Sequence, residues 1–101
     1  MDAIEKYMEA DEAVLFLRKK AKAYPERISE IMDDAYELDI QGAHKAAKIL
    51  FRKAGILEVK LNNIHADIVE GDMEVEELRE AALEQNSTEL AEQIREYERG
   101  K

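Results

Sequence analysis

The stretch QGAHKAAKILFRKAG, Gln41 to Gly55, sets the architecture. Asp39 to Gly42 reads as a turn, and a helix starts near Ala43. Ala47, Leu50 and Ala54 then recur at alternating three- and four-residue steps, the narrow seam of helices packed nearly side by side. Small residues on that seam let two backbones approach closely. Phe51 is large enough to fill the space beside them.

The same spacing extends in both directions. Downstream it continues as Leu57, Leu61, Ile64, Ile68, Val75, Leu78 and Ala82. Upstream it runs Ala3, Tyr7, Ala10, Val14, Leu17, Ala21, Tyr24, and resumes as Ile28, Ile31, Ala35, Leu38. Leu15, Phe16, Ile49, Ile56, Val59 and Val69 widen the apolar stripe.

Punctuation divides this pattern. Pro25 lacks an N–H and fits a first helical turn, so helix 1 ends near Ala23. Gly71-Asp72 reads as a helix stop followed by an N-cap, with Glu74, Glu76 and Glu77 in the new first turn. Asn86-Ser87-Thr88-Glu89 reads as a capping box. The alternative is one helix through residues 72–99. Ile56 to Leu61 could form a strand, but the heptad continues across Gly55 and favours helix.

The expected fold is therefore all-α: a compact bundle, or layered hairpins, of four to five helices in one domain over 1–101. Cysteine is absent, which excludes disulfides, a thiol nucleophile and thiolate metal ligation. The longest apolar run, Ala13 to Leu17, is far too short for a membrane span or a secretory signal. Cytoplasmic localisation is the matching expectation. Charged residues make up 39% of the chain and the net charge is −9, which opposes general binding to phosphate backbones.

The pattern around the opening stretch resembles the tetratricopeptide repeat over about residues 10–55. Ile31-x-x-Asp34-Ala35-x-x-Leu38 precedes Gly42, and Ala47-x-x-x-Phe51 follows it. Thirty-four residues upstream of Ala47 lies Ala13-x-x-x-Leu17, with Pro25 beyond it. The resemblance implies that 10–24 is the second helix of one repeat and 28–55 a fuller copy. That is fewer than the three copies a self-sufficient groove needs. An ordinary alanine-rich helical hairpin is the other reading.

Chemistry is sparse. His44 and His65 would lie roughly 30 Å apart on a continuous helix, too far to share a metal. No Glu-x-x-His pair, Gly-rich phosphate loop or nucleophile–base pair occurs, so neither enzyme activity, metal nor cofactor is expected. Asn86-Ser87-Thr88 matches a glycosylation sequon but is better read as a cap. Arg18, Lys19, Lys20 and Lys22 suit the end of a helix, and Lys45, Lys48, Arg52 and Lys53 line the next one. Acidic blocks surround both runs and oppose nucleic-acid binding.

Two candidate surfaces remain. Asp72, Glu74, Glu76, Glu77, Glu80 and Glu84 form an acidic face suited to a basic protein partner. Such a face could also imitate phosphates and block the basic groove of a nucleic-acid enzyme, as inhibitors from mobile elements do. Leu83, Leu90, Ile94 and Tyr97 form a narrow stripe on an otherwise polar C-terminal helix. That stripe is read as a self-association seam over 86–101. The expected function is a non-catalytic, self-associating protein-interaction module.

If Ala47 is a close-packing position, Ala47→Leu overpacks it and costs about 1–3 kcal/mol in urea unfolding. Lys48→Leu, one step round the helix, costs far less. Equal effects would put the helix phase in error.

Overall fold

In the computed structural model of the chain, residues 3–84 and 88–100 are described, with Thr88 and Leu90 described by backbone only. Among them, helix accounts for nearly every residue. The elements are α1 (Ala3–Lys22), α2 (Tyr24–Ile40), α3 (His44–Glu84) and α4 (Thr88–Arg99). The chain divides into two compact units. A hairpin unit comprises 17–67, and a terminal unit comprises 1–16 with 68–101.

In the hairpin unit, Pro25 falls in the first turn of α2. It cannot donate a hydrogen bond back to α1, which interrupts the helix. Ala23 nevertheless keeps right-handed helical dihedrals (φ −77°, ψ −18°). The chain therefore does not turn back here. Ala21, Ile28 and Ala35 continue the seven-residue spacing across the interruption, and all three are buried.

The reversal comes at Gly42, whose φ of +88° a side chain would resist. The Gly42 N–H donates to the Asp39 carbonyl and the Ala43 N–H to the Leu38 carbonyl, the paired bonds of a Schellman ending. Tyr36 on α2 and Phe51 on α3 then meet edge to face at 5.1 Å. On one continuous helix they would stand about 22 Å apart. Ala35, Ala47 and Ala54 are all buried, as small residues at a helix–helix contact should be.

In the terminal unit, α3 runs through Gly71 without a break. A Cβ built on Gly71 would lie 2.6 Å from Val14 Cγ2. Gly71 is thus a point of close approach between α3 and α1. Ile4, Tyr7, Ala82 and Ile94 form the core beside it, with Val75, Leu78 and Tyr97 packed against them. Arg79 on α3 contacts Glu98 on α4 at 2.8 Å. A single helix would hold these two residues about 28 Å apart, so α4 runs back along α3.

These observations correct the expectation of a compact bundle, or layered hairpins, of four to five helices: α1 and α2 follow one another without a reversal and count as one interrupted helix, so three helices make up the described residues. Of the boundaries anticipated, Pro25 interrupts a helix without reversing it, and Gly71 is no boundary at all. The result is a 41-residue α3 that belongs to both units. The capping box at 86–89 lies largely outside the described residues.

Gly71→Ala should destabilise the protein by a net 1–2 kcal/mol or so, because the short, branched Val14 cannot swing aside. Gly55, also within α3, has open space where its Cβ would be. Gly55→Ala should therefore stabilise by up to about 1 kcal/mol through helix propensity alone. Thermal unfolding of the two variants checks the contrast, and the reverse order would place the helix contact elsewhere.

Candidate functional site

The acidic face is built by α3 within the terminal unit. Asp72, Glu74, Glu76, Glu77, Glu80 and Glu84 are all exposed. They lie on one unbroken helix rather than at the start of a new one. No helix N-terminus therefore stands beside them to favour their charge. The terminal unit carries −11 and the hairpin unit +2, together the −9 of the chain.

The self-association stripe is placed differently. Ile94 is only 1% exposed and packs against Tyr7 and Ala82 of its own chain. Tyr97 meets Tyr7 edge to face at 5.8 Å. Leu83 is 37% exposed, and the Leu90 side chain lies outside the described residues. Ile94 is thus covered within the chain, while Tyr97 is half-buried against it.

Around them is a polar cluster that sequence reasoning missed. The Tyr97 hydroxyl donates to Asp11 Oδ2 at 2.9 Å, and Asp11 is the one charged side chain counted as buried among the described residues. The Tyr7 hydroxyl donates to Glu98 Oε1 at 2.9 Å, and the same oxygen accepts Arg79 Nε–H at 2.8 Å. Glu98 thereby ties α4 to both α1 and α3. A buried carboxylate is tolerated only when donors replace its lost water. Among the described residues, no buried side-chain polar atom lacks a partner. A signal was available: Tyr7 sits on the inner stripe, where its hydroxyl must find an acceptor, and Asp11 follows one helical turn later.

This environment shifts proton affinities towards the bound form. Burial first, then the bond to Glu98 and the charges of Glu98 and Asp11, push Tyr7 up to about 12, against a small opposing effect of Arg79. Burial and the bond to Asp11 likewise raise Tyr97. The bond to Glu98 holds Arg79 more firmly protonated, against its partial burial. All three shifts arise from helix packing and none activates a nucleophile.

His44 Nδ1 lies 2.6 Å from Asp39 Oδ1 across the exposed Gly42 turn, while His65 sits about six turns further along α3. Among the described residues, no group of three or more His, Asp or Glu side chains is placed to hold a metal. No helix among them is long and apolar enough to cross a membrane. A shallow groove of about 200 Å³ lies at the Pro25 interruption, lined by Ala23, Tyr24, Arg27 and Leu57. Comparison with protein-family models, curated proteins and solved structures found no match.

Tyr97→Phe removes the hydroxyl donor from buried Asp11 and should cost about 1–3 kcal/mol at neutral pH. For Tyr7, the folded value of about 12 exceeds the ordinary 10.0, so the neutral phenol is favoured by folding. The stability it contributes is fully present below about pH 10 and is lost as pH rises towards 12. Urea midpoints taken from neutral to alkaline pH should fall only above about 10 in the wild type. Tyr7→Phe should flatten that fall.

Proposed function

We propose that the chain is a non-catalytic protein–protein interaction module that associates with itself, working in a reducing compartment such as the cytoplasm. One observation carries this reading. Along α3, Ile49, Ile56, Val59, Val69 and Met73 are each more than half exposed. Large apolar side chains scattered singly need no explanation, but a run of them along one helix marks a contact surface.

A second reading has its own support. The charge is segregated, with −11 on the terminal unit and six exposed carboxylates at 72–84. That field suits an inhibitor occupying the basic groove of a nucleic-acid enzyme.

Light scattering and sedimentation velocity on the intact chain, from micromolar to millimolar, test the first reading. Concentration-dependent growth in mass is expected, and a monomer throughout would end it. For the second, capture from native extract is compared between wild type and Glu74→Lys/Glu77→Lys/Glu84→Lys. A nuclease or polymerase retained only by the wild type would favour the inhibitor. Capture unchanged by the triple reversal would reduce the acidic face to a solubility surface.

A further inference from the structure

Gly55 stands inside α3, where a glycine weakens a helix. Gly71, the other glycine of α3, has its reason in Val14. Gly55 has no such reason within the chain, since a Cβ built there would meet nothing within 4 Å. It belongs to the hairpin unit and lies four residues beyond Phe51, which meets Tyr36 of α2 edge to face. Residues four apart share one side of a helix. Two rows therefore run side by side: Met32, Tyr36 and Ile40 on α2, and Phe51, Gly55 and Val59 on α3. None of the six carries a charge, yet Tyr36, Ile40 and Val59 are 56%, 87% and 59% exposed. Met32 is level with Gly55, because each stands four residues from the Tyr36–Phe51 contact on helices running in opposite directions. The Met32 side chain nevertheless leaves the space over Gly55 open.

The charge beside these rows is segregated by helix. Residues 28–44 carry −5 and residues 45–60 carry +4. Asp33 and Glu37 stand two positions from buried Ala35, and Arg52 stands two from buried Ala54. Each is thus about 200° round its helix from the contact between α2 and α3. The outer edge of α2 is acidic and that of α3 is basic. Two such hairpins laid face to face have two two-fold arrangements. With the axis across the helices, α2 lies on α2 and α3 on α3, setting acid on acid and base on base. With the axis along the helices, α2 of each copy lies on α3 of the other, and the acidic edge meets the basic edge twice. Residues keep their level in this second arrangement. Tyr36 then meets Phe51 of the other copy, and Met32 enters the open space over Gly55 of the other copy.

We propose that this side of the α2–α3 hairpin binds a second copy of the chain about a two-fold axis parallel to the two helices, with Gly55 as the seat for Met32 of the other copy. This rests on the self-association reading above and moves the seam from α4 to the hairpin. Every residue invoked lies within 17–67, a single compact unit. A two-fold axis makes the contact self-complementary and closes the assembly at two copies. The apolar rows supply the buried surface, and the edge charges choose which helix lies on which more than they add strength. Ile49, two residues before Phe51 and so about 200° round α3 from it, stays outside the contact.

Sedimentation equilibrium on the full chain tests this, with circular dichroism confirming that every variant stays helical. The wild type should dimerise. Gly55→Glu should abolish the dimer by filling the seat with a carboxylate. The monomer tolerates that change, because the space is open and glutamate favours a helix over glycine. Ile49→Glu should leave the dimer intact. Arg52→Glu should weaken it by about tenfold, by setting two carboxylates against each other twice per dimer. Arg52→Glu combined with Asp33→Arg should restore affinity to within a few-fold, because only α2 lying on α3 of the other copy brings these positions together. A wild-type monomer would overturn both this proposal and the self-association reading. A dimer indifferent to Gly55→Glu, or lost in Ile49→Glu, would overturn this proposal alone and leave the module reading standing. Failure of the double variant to recover would overturn the arrangement of α2 on α3.

Discussion

A helix of 41 residues has no interior of its own, so α3 persists in water only where one stripe of it is covered. The placement of the other helices follows from that requirement. α2 covers the first half by folding back at Gly42, and the small residues Ala35, Ala47 and Ala54 bring the two backbones close. In the terminal unit the start of α1 covers the second half, and Gly71 gives Val14 the room to do so. What α1 leaves open at Ala82 is closed by Ile94 of α4. Small residues thus recur along the covered stripe of α3. Large ones fill the spaces between.

The all-helical character and the inner stripe were readable because a heptad repeats over many turns. Tyr7, Val14, Ala21, Ile28 and Ala35, seven apart, are every one buried. The turn at Gly42 was readable because it stands alone between two long periodic runs. Gly71 was not readable, and the reason is physical. A glycine beside an aspartate suits a helix end, yet a glycine on a seam equally suits close approach. Local sequence is the same in both cases. What separates them is Val14, far away in the chain. The heptad itself held the clue, since residue 71 falls on the inner stripe between Ile68 and Val75.

The acidic face could be located by counting charges, but its setting could not. Asp72, Glu74, Glu76 and Glu77 read as a helix start, where unpaired N–H groups would favour them. All six carboxylates lie instead in the last third of α3. The α4 stripe shows the complementary difficulty. Periodicity shows that Ile94 and Tyr97 must be covered but does not say by what. The answer depends on Asp11 and Tyr7, whose polar atoms pair with α4 groups 86 and 91 residues away.

Those separations bear on the order in which the molecule assembles. The hairpin unit is contiguous and turns on a single tight loop, so its contacts close quickly and with little loss of chain entropy. The terminal unit joins residues near 7 to residues near 98 and must close nearly the whole chain into one loop. On the ribosome, the hairpin can form once residue 67 has emerged. The inner side chains of α1, Ile4 and Tyr7 among them, wait in water until the end of α3 has been made, and are fully covered only by α4. During that interval the growing chain shows a greasy patch that the finished protein hides, and it is then that a chaperone or a neighbouring nascent copy would find it most easily.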